Sequence, residues 1–254
     1  MLEISPFSFA DLPLRPAEFA PQLGSTIVIA PHPDDESLGC GGLLALLRQA
    51  QVPVMAILVT DGTMSHPNSQ KYPPAARRQL REAEFEAALV ALGITTAPHY
   101  LGLADGNIPT AGAAGFEAAA EQLLMRISQF SPTTVLAPWR RDPHPDHRAT
   151  SQLLQAALAQ LATPPRLLEY VVWAWERAKP TDLPRPGEVA GWRLDITSVL
   201  YQKQQAIAAH RSQLTDLIDD DPTGFQLSPS MLAHFAQPFE VYLEFKSENS
   251  SALL

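Results

Sequence analysis

The sequence predicts a Rossmann-like α/β fold, a mostly parallel sheet flanked by helices, on three observations. Apolar strand-like runs alternate with helical segments along most of the chain, the pattern of strands joined by crossover helices. The central runs, such as Val54-Met55-Ala56-Ile57-Leu58-Val59, are continuously apolar, as parallel strands covered on both faces are. Finally, His32, Asp61, Asp105 and His144 each follow one of these runs. Ligands of open α/β sheets bind outside the carboxyl ends of the strands. These residues are therefore expected to gather on one edge, and the active site with them.

Taken in order, residues 1–24 read as a proline-containing arm laid over the fold, and residues 1–254 as one domain. The first strand is Thr26–Ala30, followed by a helix over 36–48. Residues 54–59 form the second strand, which ends in Thr60-Asp61-Gly62 and a polar loop to Pro74. Residues 75–92 have helical periodicity and stop at Gly93, a C-terminal cap. A short third strand at 99–101 precedes a helix over 113–130. A fourth strand at 134–138 runs into the loop RRDPHPDHRA and a helix over 149–161. A fifth strand at 167–175, a long helix over 196–214 and a late strand at 239–245, expected at a sheet edge, complete the chain.

With 254 residues the chain is long enough for a large core, and its 46% hydrophobic content is that of a globular protein. The net charge of -9 argues against a nucleic-acid partner. The lone cysteine, Cys40, excludes an internal disulfide and points to a reducing compartment. Flanked by glycines, it reads as a small packed residue. The N-terminus has no basic start followed by an apolar run, so no signal peptide is expected. No apolar run nears the roughly 20 residues of a membrane span. A cytoplasmic protein is the expectation, and a homo-oligomer is left open.

The stretch TIVIAPHPDDESLGCGGLLALL, residues 26–47, sets His32, Asp34, Asp35 and Glu36 directly after a buried strand. Four ionisable groups so close to apolar surface are costly unless paired, and a divalent cation is the simplest partner. His32 and Asp35 are donors of the kind zinc takes. Pro33 fixes its own φ and biases His32 towards extended backbone, which stiffens the turn. The plainer alternative is a polar turn with a helix cap. Against it stands a second group, His144-Pro145-Asp146-His147, just past the fourth strand. Two ligands from one segment and a third from a distant one make an open catalytic site with a position left for water. On this logic His32, Asp35 and His147 are the ligands. Asp34 and His144 stay free beside the metal, and Asp146 is placed to orient a histidine by hydrogen bonding.

PHPDDE at 31–36 and HPDH at 144–147 resemble the two signatures of the PIG-L/LmbE family of zinc-dependent N-deacetylases. Thr60-Asp61-Gly62, Arg81 with Glu84 ahead of Leu92-Gly93, and KQQAIAAHRSQ at 203–213 resemble further family segments. The likeness runs from about residue 26 to 214. Asp142 departs from it: mycothiol-type relatives carry a tyrosine there, whose steadying of the oxyanion does not carry over.

The resemblance implies one zinc ion per chain, although other divalent ions suit the same donors. It also implies hydrolysis of an acetyl or short acyl amide on a small-molecule amino sugar or glycoconjugate. Asp34 would be the general base. His144, held by Asp146 and raised in pKa, would steady the oxyanion and protonate the leaving amine. Glu36 has two readings: a partner of the metal-binding side chains, or a favourable charge in the first helical turn. Substrate contacts are expected from Arg81, Asp61 and Asp105, with residues 62–74 as a candidate lid. His66 in that loop reads as an ordinary loop residue, and the acidic run 216–221 as solvated surface. His210 lies on a largely apolar helix face and reads as packed or capping. The family's His-x-Ser-Gln pattern sets a place near the site, as a substrate contact, evenly against that packing reading.

Three other functions compete. A nucleotide-binding module would use Gly39-Cys40-Gly41-Gly42, but residue 44 is leucine where G-x-G-x-x-G needs glycine. A metal-holding binding protein has no use for a free Asp34. A zinc amidase acting on a non-sugar N-acyl substrate would share the same residues.

Overall fold

The computed structural model describes residues 7–245. Its frame is an eight-stranded sheet. The strands are β1 (Leu14–Arg15), β2 (Thr26–Ala30), β3 (Val54–Thr60), β4 (His99–Leu103), β5 (Thr134–Pro138), β6 (Arg166–Tyr170), β7 (Val189–Asp195) and β8 (Phe239–Phe245). They lie in the order β1-β7-β8-β6-β5-β2-β3-β4, all parallel to their neighbours except β8, which is antiparallel to β6 and β7. The helices are α1 (Asp35–Gln49), α2 (Pro74–Ala91), α3 (Phe116–Phe130), α4 (Pro145–Leu158), α5 (Ala174–Arg177), α6 (Leu200–Ala209) and α7 (Pro229–Phe235).

The continuous apolar strands serve two cores at once. On β2 and β3, Val28, Ala30, Ala56 and Leu58 pack with α1, α2 and α6. The alternate residues Ile27, Ile29, Ile57 and Val59 pack with α3 and α4 on the other face. A strand period of two with apolar demand on both sides leaves no polar position, which is why these runs are legible.

The glycines of α1 are packing positions. A Cβ at Gly39 would collide with the Tyr170 ring, and one at Gly42 would fall 2.6 Å from Ile196. The helix bends at Cys40 (φ -147, ψ 15). Past the bend, Glu240 of β8 accepts the backbone N–H groups of Gly42 and Leu43 at 2.7 and 2.8 Å. Glu240 also takes hydrogen bonds from Lys203 Nζ and the Tyr242 hydroxyl, both at 2.7 Å, within the core. The glycine run thus has a structural use, and the nucleotide-loop reading falls away.

Several boundaries differ from those expected. The late strand β8 is interior, between β7 and β6; the edges are β1 and β4. β7 was not anticipated, although Trp192-Arg193-Leu194-Asp195 alternates apolar and polar at strand period. The N-terminal arm adds its own edge strand, β1, pairing with β7. β6 ends at Tyr170, short of the expected residue 175, because Asp142 Oδ2 captures the N–H groups of Trp173 and Ala174. The helix expected over 196–214 is broken at His210 (φ -80, ψ 58) into α6 and a single 3-10 turn. α4 begins at Pro145, not residue 149, since proline suits a first helical position. No helix among the described residues is long and apolar enough to cross a membrane.

Candidate active site

The β2–α1 turn and the β5–α4 turn meet at the carboxyl edge of the sheet, because β2 and β5 are hydrogen-bonded neighbours. In the first turn, Asp35 Oδ2 accepts the His32 backbone N–H at 2.9 Å and lies 3.3 Å from its Nδ1. From the second turn, His147 Nε2 approaches Asp35 Oδ1 at 3.2 Å. Two imidazoles therefore converge on one carboxylate. The far nitrogen of each ring faces another carboxylate: His32 Nε2 lies 3.0 Å from Asp146 and 3.2 Å from Asp105, and His147 Nδ1 lies 3.3 Å from Asp142. His147 is fully buried, and neither of its ring nitrogens makes a well-aligned hydrogen bond. Donor atoms of His32, His144 and His147, one from each, also lie within 4.8 Å of one another.

This donor set fits a divalent ion. Neutral imidazole nitrogens and a carboxylate are zinc's ligand types, and the carboxylates behind the two rings would fix their orientation. The buried, unsatisfied His147 nitrogen is what a missing coordination partner would leave.

Asp34 occupies a backbone conformation rare for a side-chain-bearing residue, with φ 138. Glu36 Oε2 accepts its N–H at 3.1 Å, and Arg81 Nη2 donates to its carboxylate at 3.2 Å and also to the Pro33 carbonyl. Glu36 accepts a hydrogen bond from Ser37 at 2.6 Å and faces His210 Nε2 at 3.2 Å. His210 is thus both packed and one residue removed from Asp34.

The expected His144–Asp146 carboxylate pair does not form. His144 Nδ1 accepts the Asp146 backbone N–H at 3.2 Å as the cap of α4. The Asp146 carboxylate turns instead to His32 and to the N–H of Gly106, at 3.0 and 2.8 Å. Asp146 does orient a histidine, but a different one. The pKa of His144 is correspondingly lowered, to about 4, by burial and by the nearby His147 and His32, not raised. His147 goes the other way, up to about 9: burial pulls it down, but Asp35 and Asp142 outweigh that. Burial resists the charge on Asp35, yet the two histidines hold its pKa well below the usual carboxylate range. Burial, with Asp35 beside it, pushes Asp34 up to about 6 against the pull of Arg81.

These groups open into a cavity of about 230 Å³ whose polar lining includes His32, Asp34, Asp35, Arg81, Asp105 and His144. Apolar side chains, among them Leu38, Trp173 and Phe225, complete the lining. Asp61 is not part of the lining. Its carboxylate is spent within the loops, accepting from Thr63 and from the Asp105 N–H. The expected lid, 62–74, is pinned: Asp220 accepts from Ser69, Gln70 and Lys71, and Asp221 from Asn68. The acidic run 216–221 is therefore a clasp as well as surface. His66 is buried under that clasp, close against Gly224. Sequence reasoning missed the role of Asp142, which touches His147, the His144 N–H and the Trp173 N–H together. An acid two residues before the histidine motif was its only signal.

The fold and the cleft together define a class: an α/β enzyme with a histidine–aspartate donor cluster at the carboxyl edge of its sheet. Residues 27–158, more than half of the chain, match the PIG-L family, described as GlcNAc-PI de-N-acetylase, and the chain belongs to that family. It is 30% identical to the 1D-myo-inositol 2-acetamido-2-deoxy-alpha-D-glucopyranoside deacetylase of Actinosynnema mirum, over 74% of this chain and 80% of that one. It is 28% identical to a probable N-acetyl-alpha-D-glucosaminyl L-malate deacetylase 2 of Bacillus cereus, over 76% and 86%. The N,N'-diacetylchitobiose deacetylase structure from Pyrococcus horikoshii superposes with a TM-score of 0.61 at 25% identity, covering 82% of this chain and 73% of that one.

Proposed function

We propose that this protein is a zinc-dependent hydrolase that removes an acetyl or short acyl group from the amide nitrogen of an amino sugar or its glycoconjugate. The observation that carries the reading is the convergence of His32 and His147 on Asp35, with Asp34 held beside them in a strained conformation. His32, Asp35 and His147 would hold the ion, one per chain. Such an ion lowers the pKa of a water and polarises the acyl carbonyl.

The chain's own groups do the rest. Asp34, gripped by Arg81 and Glu36, takes the proton of the attacking water. His144 accepts through Nδ1, so its proton sits on Nε2, and that N–H donates to the oxygen that gains charge as the C–O bond forms. Asp34 then returns the proton to the leaving nitrogen as the C–N bond breaks. Carboxylate and free amine are the products. Arg81 is occupied beneath Asp34, and Asp105, which lines the cavity, accepts the Met64 N–H at 2.8 Å and faces His32, so only its remaining lone pairs are offered to sugar hydroxyls. The cavity is just under the roughly 300 Å³ at which small-molecule clefts begin, so it suits one acylated ring with the remainder of a larger substrate outside.

The testing experiment is acetate release from a panel of N-acyl amino sugars and their glycosides by zinc-loaded protein. Acetate from N-acetylglucosamine derivatives is the expected result. Release only from N-acyl amino acids or peptides would overturn the sugar reading.

A further inference from the structure

The apolar part of the cavity lining has no part in the chemistry above. It is built from Trp173, Phe225, Val172 and Leu227, together with the solvent-exposed Met64 and Arg177. Its rings adjoin the catalytic edge at His144. The centroids of His144 and Trp173 are 6.0 Å apart with planes inclined by 28°, and Phe225 meets Trp173 edge-on at 5.5 Å. The Arg177 guanidinium lies 4.0 Å from the centroid of the Trp173 ring. Arg177 is exposed and forms no salt bridge among the described residues. The other arginine of the cavity, Arg81, is already committed to Asp34. In a chain of net charge -9, an exposed, unpaired cation in this lining is a local exception to the surrounding charge and attracts anions.

This platform is tied to the reacting edge. Asp142 Oδ2 takes the Trp173 and Ala174 N–H groups at 3.0 and 3.3 Å, while its Oδ1 faces His147 Nδ1 at 3.3 Å. One carboxylate thus sets Trp173, and through α5 Arg177, at a fixed place relative to the candidate metal ligands.

We propose that Trp173 and Arg177 form a subsite for an anionic group, a carboxylate or a phosphate, on the part of the substrate beyond the acylated sugar. An apolar or aromatic segment would lie on the Trp173–Phe225 wall between the two. The proposal names the substrate class for this site and rests on the deacetylase reading, in which the acyl amide lies over Asp34. Stacking on Trp173 pre-orients the guanidinium, whose planar fork matches either oxyanion in two parallel hydrogen bonds. The inner end of the cavity carries Asp34, Asp35 and Asp105, so Arg177 is the cation of the lining not already paired with one of them.

The test compares three N-acetylglucosaminides on zinc-loaded protein: the phenyl, the 4-carboxyphenyl and the 4-phosphophenyl glycoside. Acetate release gives kcat/KM, and calorimetric titration of the Asp34→Asn protein gives binding without turnover. At least one anionic glycoside should exceed the phenyl compound about tenfold in both measures, the scale of a hydrogen bond to a charged group. The preferred arm names the anion. The advantage should weaken with added salt, shrink towards one in Arg177→Gln and return in part in Arg177→Lys. Equal use of all three glycosides by the wild type, or a preference that survives Arg177→Gln, would overturn the subsite. Preferential binding that depends on Arg177 without acetate release would keep the subsite and refute the deacetylase reading instead.

Discussion

Asp34 combines a positive φ, near-complete burial and two grips from opposite sides, by Arg81 on its carboxylate and Glu36 on its N–H. Such strain persists where surroundings over-determine it, and here they aim one carboxylate into the cleft. Asp34→Asn is expected to keep its metal, by metal analysis, while acetate release falls by roughly 10²-fold or more. His147→Ala should lose most of its bound metal. Asp142→Asn should weaken metal affinity by about 10–100-fold while the fold stays intact, because its carboxylate backs His147 Nδ1. An Asp142→Asn protein that titrates with zinc as the wild type does would remove Asp142 from the metal site. His144→Ala should retain metal and lose roughly 10²–10³ in rate, the range for one oxyanion donor. Coordination of His144 to the ion, seen in a metal-bound structure, would contradict that assignment.

At the scale of elements, two long-range clamps hold the 62–74 loop and the second half of α1, which flank the turns that carry these residues. The 62–74 loop is held across the cleft by Asp220, which accepts the N–H groups of Gln70 and Lys71 at 2.8 Å each. Asp220→Ala should speed amide exchange at those two residues and raise KM, with metal content unchanged. Unaltered exchange would mean that Arg77, donating to the Thr63 and Tyr72 carbonyls, suffices to hold the loop. The second clamp is the buried Lys203–Glu240 pair at 2.7 Å, which caps the half of α1 beyond Cys40. Removing one partner of a buried pair strands the other charge. Lys203→Ala should therefore cost about 3–5 kcal/mol in denaturant unfolding.

For the whole molecule, the sheet order is what assembles the site. β2 and β5 are neighbours at its centre, so two motifs more than 100 residues apart in sequence open onto one edge. Three histidines and five aspartates, Asp34, Asp35, Asp105, Asp142 and Asp146, crowd there, and an ion bound among them would favour the folded state by mass action. Added zinc should stabilise the wild type, by about 2.7 kcal/mol at 100 times Kd. His147→Ala should show little of that thermal shift.

Much of this was legible in the sequence because of local repetition. The central strands are apolar on both faces, so their identity needs no knowledge of partners, and His-Pro-Asp after a strand occurs twice. These features determined the α/β class, the parallel core and the residues that converge at its edge. What the sequence did not determine depends on groups that meet only after folding. β8 looks like an edge strand until β1 and β7 are added beyond it. The Asp146 carboxylate serves His32, 114 positions away, because its own N–H already caps through His144. Asp61 and the acidic run 216–221 are ordinary polar loop residues until the facing loop presents its N–H groups. A carboxylate's neighbours, unlike a strand's hydrophobicity, are set by the chain's return path, and only the tertiary structure fixes that path.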